Sequence, residues 1–330
     1  MGGLGIGKGQ QFRSAQNADG ISLCSDTLSV LVLPAAGGNI ARLVDRRTGR
    51  NWLWNNPHLP IQSDRSGDDY GRQLDSGGWD EVLLSVAPDE LVVGGSRKIS
   101  VPDHGDLVRR RWRLLDSDAS ACTIAVTGDL LRYELRRTVS LDPHRPVIEV
   151  GYSLTNNEPF PWPWYWCAHA LIAVEPGARI GLPETQPFRI DSSTTETSPG
   201  EHTGHWPTLE SKGFDPIDLA DCFEPARGSR PFASKLFVES PKTGQVSVTA
   251  PDGNETLTMS WPADQLPWLG LWINNNGWSG CDSEPYRNLG LEPATVAFDS
   301  VSEAIENDVV PVIEPGETIG WSIRLEVTAQ

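Results

Sequence analysis

Short runs in which apolar and polar residues alternate recur along most of the chain. Clear examples are LSVLVL (28–33), RYELRRTVSLD (132–142), PVIEVGYSLTN (146–156) and TIGWSIRLEV (318–327). Alternation with a period of two is typical of β-strands that bury one face. Asp-Gly and Asn-Gly pairs separate many of these runs, and such pairs favour tight turns between antiparallel strands. No run carries a helical pattern over three or more turns, so the chain is predicted to be all-β.

The predicted strands are too many for one flat sheet, since strongly twisted open sheets rarely exceed about ten strands. We therefore expect two large antiparallel sheets packed face to face. No low-complexity linker divides the chain, which favours one domain over residues 17–330 behind a flexible lead at 1–16. The least regular segment, 176–234, is rich in Pro, Ser, Thr and Gly and is predicted to form long loops over the sheets.

Charge and cysteine content limit the partners and the compartment. The net charge of −17 over 330 residues leaves no basic face for nucleic acid or for an anionic membrane surface. No apolar stretch approaches the ~20 residues that cross a bilayer, and the first residues lack a signal-peptide pattern. The five cysteines are widely spaced without a CxxC pair, so neither a zinc site nor a disulfide framework is indicated. These features predict a cytoplasmic protein.

Two residues stand out as candidates for acid–base chemistry. His169 lies in the aromatic strand WYWCAHALI, where alternation places it with Cys167 and opposite Trp166. Glu292 lies in the apolar run NLGLEPAT, and a buried carboxyl there could act as a base. Each residue alone is open to a plainer interpretation, either as a satisfied core group or as a paired acid.

Other features indicate a sugar as the ligand. The chain has 13 Trp, and a Trp ring offers a flat apolar face to a sugar ring together with an N–H donor. The segment GDDYGRQLDSGGWDE (67–81) is either a solvated acidic loop or a substrate rim that includes Arg72 and Asp80. The pair His202 and His205 has a spacing that could chelate a metal, but no further ligand accompanies it, so a polar loop is favoured and no metal site is predicted.

The order of several weak motifs resembles the galactose mutarotase-like, or aldose 1-epimerase, superfamily, in a divergent branch. The resemblance covers about residues 25–328. The motifs that carry it are GGNIARLVDRRTGRNWLW (37–54), YGRQLDSGGWDE (70–81), PDHGDLVRRRW (102–112), WCAHALIAVEPG (166–177), LGLWINNNGW (269–278) and NLGLEPAT (288–295). The resemblance implies a large twisted antiparallel β-supersandwich.

The resemblance also implies roles for individual residues. By position, His169 matches the general acid of the family and Glu292 its general base. His104 and Arg72 match residues that contact the sugar. A substrate-binding Asp from the middle of the chain is assigned to Asp215, with Asp218 as a near alternative. Further substrate contacts are expected from three residues near these motifs: Asp80, Trp166 and Trp272.

The expected activity is acid–base catalysis at the anomeric centre of a sugar, with ring opening and reclosure and without metal or cofactor. The family's usual aromatic residue soon after the acid is absent, because Ala170 and Leu171 follow His169. The substrate therefore stays open, and so do two alternatives: another sugar conversion in the same cleft (epimerisation, a lyase step or glycoside cleavage), and a non-catalytic carbohydrate-binding module. The expected partner is a small sugar, for a monomer or homodimer.

Overall fold

The computed structural model describes residues 20–329 except 64, 195–202, 211, 212, 214, 225–230 and 281–283. The lead predicted at residues 1–16 lies outside this part of the chain. The strands within it run as follows: β1 Ile21–Cys24, β2 Leu28–Leu33, β3 Asn39–Asp45, β4 Trp79–Leu83, β5 Asp89–Val93, β6 Arg97–Val101, β7 Arg113–Ser117, β8 Ala121–Thr127, β9 Tyr133–Leu141, β10 Val147–Asn156, β11 Trp162–Pro163, β12 Trp166–Ile172, β13 Arg179–Gly181, β14 Pro187–Ser193, β15 Thr203–His205, β16 Thr208–Leu209, β17 Ile217–Asp218, β18 Phe232–Glu239, β19 Gln245–Thr249, β20 Glu255–Ser260, β21 Trp268–Asn275, β22 Arg287–Ala294, β23 Val312–Ile313 and β24 Thr318–Ala329.

Two large antiparallel sheets dominate the fold. The strand order of the larger one is β1-β2-β3-β4-β12-β22-β21-β18-β14-β15-β16-β17, and that of the second is β13-β19-β20-β24-β10-β9-β8-β7. The described residues also form two small sheets of two strands each, β11-β23 and β5-β6. The predicted all-β class with large packed sheets is therefore confirmed.

The core lies between the inner faces of the two large sheets. Along β10 and β24, buried residues alternate with half-buried or exposed ones, as the sequence pattern of these strands predicts. The strands at the centre of the larger sheet differ, because β12 is buried at every position. Its outer face therefore also lies under other parts of the chain, and that face carries the candidate site.

Helical structure is sparse in the part of the chain that the structure describes. One helix, α1 (Val301–Glu306), begins at Ser300, whose side chain accepts a hydrogen bond from the backbone N–H of Glu303. Two short helical turns lie at Tyr70–Leu74 and Leu107–Arg109. No helix in the described ranges is long and apolar enough to cross a bilayer.

The segment 176–234 contains more strand than the sequence predicts. Strands β13 to β17 lie in it, and β14 extends the larger sheet beside β18. Three of these strands, β15, β16 and β17, are only two or three residues long and largely polar. Runs this short show no alternation, which is why their sequences do not distinguish them from loops.

Candidate active site

Neighbouring strands at the centre of the larger sheet place two rows of side chains on its outer face. In one row, Asp80 on β4 pairs with His169 on β12, and Glu292 on β22 pairs with Gly270 on β21. In the other, Gly290, Trp272, Lys235 and Ser192 lie opposite one another on β22, β21, β18 and β14. Residues paired in a ladder point to the same face of the sheet, so both rows face the same side.

Loops cover these rows and leave a cleft of about 270 Å³. The lining residues are Asp69, Tyr70, Gly71, Asp75, Val86, Asp103, His104, His169, Leu171, Ser192, Lys235, Trp272, Trp278, Glu292 and Asp299. The cleft thus combines aromatic surface with carboxylates, imidazoles and one ammonium group. Such a mixture suits a ligand that has both apolar faces and hydroxyl groups.

His169 and Glu292 face each other across the cleft floor. Their nearest atoms, His169 Nε2 and Glu292 Oε1, are 4.0 Å apart, and both side chains are buried. Glu292 Oε1 has no hydrogen-bond partner among the described residues. The space that Oε1 occupies is available only because residue 290 is a glycine. A Cβ on Gly290 would come within 2.6 Å of that oxygen. The fold thus places a carboxylate oxygen that has no hydrogen-bond partner beside an imidazole.

The environment of His169 favours its neutral form. Burial lowers the pKa of His169 well below 6.5, and the nearby His104 and Lys235 lower it further. The Tyr70 hydroxyl lies 3.4 Å from His169 Nδ1 and donates a hydrogen bond of 2.9 Å to Asp80. A histidine with a depressed pKa is a strong acid whenever it carries its second proton.

His104 is held over the cleft by a left-handed turn. Its own φ is 60°, and that of Gly105 is 67°. A Cβ at Gly105 would lie 2.2 Å from the carbonyl oxygen of Leu83, so only glycine fits there. The His104 ring stacks on Tyr70 with centroids 3.8 Å apart, and its Nδ1 lies 2.8 Å from Asp103. Non-glycine residues in this conformation concentrate at functional sites.

Four of the eight residues predicted for the site line the cleft. They are His169, Glu292, His104 and Trp272. Asp80 lies just beneath it, buried and bound by Arg65, Asn39 and the Tyr70 hydroxyl.

The other three predicted residues lie elsewhere. The Arg72 side chain is 65% exposed and its ion pair is with Asp69 at 3.7 Å. Asp215 is exposed and is not part of the cleft lining. Trp166 is fully buried on the inner face of β12, where it packs on Tyr152 and Trp321 of the second sheet. Alternation along the strand sends it away from His169, so the sugar contact predicted for Trp166 is not one that this geometry offers.

The sequence reasoning missed several residues that line the cleft. The middle of the chain contributes Lys235 there, rather than the predicted Asp215. A single lysine within the apolar strand FASKLFVE was a usable signal, because a buried charge needs a partner. Tyr70, Asp103, Trp278 and Asp299 reach the cleft from turns or loops, and their sequence context is unremarkable. Among the described residues no cluster of three metal-ligating side chains is present, while His202 lies outside them.

Solved structures with the same fold include proteins that are named galactose mutarotase-like. The galactose mutarotase related enzyme from Lactobacillus acidophilus superposes with a TM-score of 0.65 at 10% identity, over 94% of this chain and 97% of that one. A galactose mutarotase-like protein from Clostridium acetobutylicum gives 0.64 at 14% identity, over 94% and 95%. The Slr1438 protein from Synechocystis gives 0.68 at 13% identity over the whole of both chains.

These similarities establish the fold. They do not establish an activity, which has to be argued from the chemistry of the site. No family model matches the sequence, and no curated protein matches it either. The chain therefore has the galactose mutarotase-like fold, at sequence identities that fit a divergent branch. The fold expected from the resemblance is confirmed.

Proposed function

We propose that this protein is an aldose 1-epimerase-like enzyme that acts by acid–base catalysis at the anomeric centre of a sugar. The observation that carries the proposal is the pair Glu292 Oε1 and His169 Nε2, 4.0 Å apart in a cleft of about 270 Å³. A carboxylate oxygen without a partner is a suitable base, and an imidazole beside it is a suitable acid. Both project from adjacent strands, so the sheet fixes their separation.

The proposed reaction needs two proton transfers and no other chemistry. Glu292 removes the proton of the C1 hydroxyl while His169, in the molecules in which it carries its second proton, donates a proton to the ring oxygen, and the C1–O5 bond breaks. Rotation about C1–C2 presents the other face of the aldehyde. The reverse transfers then close the ring, and both residues recover their original protonation states. Each positioned acid or base contributes typically 10²–10⁴-fold to such a step.

The rest of the lining supports a sugar as the substrate. Trp272 and Trp278 lie edge to face with ring centroids 5.4 Å apart, which offers apolar surface to the C–H face of a sugar. The same space is lined by His104, Asp103 and Ser192, whose polar side chains can form hydrogen bonds with the hydroxyl groups of a sugar. The one lysine in the lining, Lys235, is already paired with Glu292 and Asp299, which favours a sugar without phosphate.

The test is anomer exchange with freshly dissolved α-glucose and α-galactose, followed by polarimetry or anomeric proton NMR. We expect acceleration by the wild type and a loss of at least about 100-fold in Glu292→Gln. Glu239→Gln is the matched control, because Glu239 is exposed at the end of β18, and it should retain full activity. Circular dichroism checks that both variants fold.

Three results would contradict the proposal. Retained activity in Glu292→Gln would remove this residue from the role of base. Calorimetric binding of a sugar without accelerated anomer exchange would instead favour a carbohydrate-binding module. A different product from a sugar library, again without faster anomer exchange, would point to another sugar conversion in the same cleft.

A further inference from the structure

Lys235 is a buried cation in the floor of the cleft, and the proposed acid–base pair leaves it without a role. It projects from β18 and is 5% exposed. Its Nζ donates a hydrogen bond to Glu292 Oε2 and lies 3.7 Å from Asp299 Oδ1. Burial alone would lower the pKa of Lys235, but Glu292 and Asp299 outweigh that effect and raise it, so the side chain is an ammonium ion.

The contact with Lys235 makes the two oxygens of Glu292 different. Oε2 accepts the hydrogen bond from the ammonium, whereas Oε1 has no partner in the described part of the chain and faces His169. A carboxylate that is anchored through one oxygen cannot turn freely to offer either one. The anchored geometry therefore selects Oε1 as the atom that meets a substrate hydroxyl.

Two carboxylates share this one ammonium. Asp299 follows β22, and burial raises its pKa to about 6 although Lys235 acts in the opposite direction. Other titratable groups lie around Lys235 and its two carboxylates. They are the Cys167 thiol and His169 on β12, the Tyr165 hydroxyl just before β12, Asp191 on β14, and His104. Burial raises the pKa of both Cys167 and Tyr165 well above the usual values, so both are neutral. The charged groups in direct contact with one another are thus Lys235, Glu292 and Asp299.

We propose that Lys235 is a positioning residue for Glu292: it holds Glu292 Oε2, keeps Oε1 towards the sugar, and transfers its pairing to Asp299 when Glu292 takes up a proton. This inference rests on the proposed function, because it assigns Glu292 as the base. It adds a cationic anchor and a second carboxylate to the proposed acid–base pair.

The proton count supports the part given to Asp299. When Glu292 takes the proton of the C1 hydroxyl, it becomes neutral and its attraction for the ammonium falls. Lys235 keeps all three of its protons and its charge. It would then be an unpaired buried cation unless another anion were within reach, and Asp299 Oδ1 at 3.7 Å is that anion. When Glu292 returns its proton, the original pairing is restored.

Opposite shifts in the pH–rate profile are the signature of this arrangement. Lys235→Met removes the positive charge, so Glu292 is ionised only at higher pH, and the acidic limb of kcat/KM should move up by about one pH unit or more. Asp299→Asn removes a negative charge, so the acidic limb should move down while kcat falls. Lys242→Met is the matched control, because Lys242 is exposed, and its profile should equal that of the wild type.

A merely structural role predicts something else. If Lys235 only fills space, Lys235→Met lowers the rate by the same factor at every pH and Asp299→Asn shifts nothing, which would overturn the inference. Should Lys235→Met fail to fold, the pH–rate profiles of Lys235→Gln and Asp299→Asn provide the same test. Gln is a polar side chain that lacks the positive charge. The same upward shift is expected for Lys235→Gln.

A measurement that needs no turnover separates this inference from the proposed function. Infrared difference titration of the wild type against Glu292→Gln isolates the carboxylate band of Glu292. The same difference is then taken in a Lys235→Met background. We expect the midpoint of that band to move to higher pH without Lys235, and an unchanged midpoint would overturn the inference. If the wild type accelerates no anomer exchange, the proposed function fails, and this titration still decides whether Lys235 controls Glu292.

Discussion

Asp75 is a buried carboxyl group in the lining of the cleft whose environment opposes its charge. It is 5% exposed, and burial raises its pKa to about 7 although the Gly77 N–H, at 3.3 Å, favours the ionised form. Asp75 therefore gives up its proton near neutral pH, while an unfolded chain would lose it near 3.8. Folding and protonation are linked at this single residue.

This linkage gives a prediction with a definite sign. Between about pH 4 and pH 7 the folded state binds more protons at Asp75 than the unfolded state, so this contribution to stability falls as the pH rises. Asp75→Asn, which keeps an acceptor for Gly77, should stabilise the protein at pH 8 by roughly 1–4 kcal/mol relative to the wild type. At pH 4 the difference should be small. Urea unfolding at the two pH values measures it, and an equal effect at both would show that Asp75 does not titrate this way.

The site residues that could be predicted from the sequence are single polar side chains within apolar strands. His169 and Glu292 each lie in a strand whose apolar pattern makes a polar residue conspicuous. Each also lies in a motif that resembles the galactose mutarotase-like superfamily. Tyr70 and Asp299 were missed because each lies in a turn or loop, where polar residues are common. Their proximity to the cleft depends on how distant segments pack, and no spacing along the chain encodes that.

At the scale of elements, a buried ion pair joins the two large sheets. Arg137 on β9 and Glu81 on β4 are both fully buried, and Arg137 Nη1 donates to Glu81 Oε1 at 2.9 Å. Tyr152 on β10 donates to the same oxygen at 2.7 Å. Glu81 neighbours Asp80 in the chain, so β4 presents one acid to the cleft side and the next one to the second sheet. Alternation in a strand is the cause of this division.

Loss of one partner of this pair should destabilise the protein strongly. Arg137→Met leaves the Glu81 carboxylate buried without its cation, and we expect a cost of roughly 3–5 kcal/mol in the free energy of unfolding. The double variant Arg137→Met with Glu81→Gln should recover part of that loss, since no buried charge remains. Urea unfolding gives the values for both.

The neighbouring residue on the same strand provides the control. Arg136 has a side chain that is 57% exposed, and its ion pair is with Glu134 on the surface. Arg136→Met should change stability by no more than about 0.5 kcal/mol. If the two arginine variants behaved alike, the buried pair would have no special part in joining the sheets.

At the scale of the whole molecule, both large sheets contribute to one continuous core. Leu28 and Val30 from the larger sheet belong to the same buried cluster as Ile124, Leu135 and Ile323 from the second sheet. Among the described residues, the other buried apolar clusters contain only three residues each. The expectation of one domain over residues 17–330 stays a prediction, and this continuous core provides a way to test it.

One cooperative unfolding transition is the corresponding prediction. Scanning calorimetry should give one heat-absorption peak with a calorimetric enthalpy close to the van't Hoff enthalpy. Arg137→Met should move that whole peak to lower temperature, because its ion pair belongs to both sheets. Two resolved peaks, of which only one moves, would contradict the single-domain expectation.

The sequence by itself determined the class of the fold and two of the residues at the proposed reaction centre. Alternating runs and turn pairs are local properties, so they specify strands without knowledge of the rest of the chain, and the ordered motifs then indicated the mutarotase-like fold. The tertiary structure alone decided which polar residues meet. It brings Lys235 and Asp299 to Glu292, turns Trp166 into the core and leaves Arg72 at the surface. Pairing between strands far apart in sequence sets those contacts, and the sequence pattern of one strand carries no information about its neighbours.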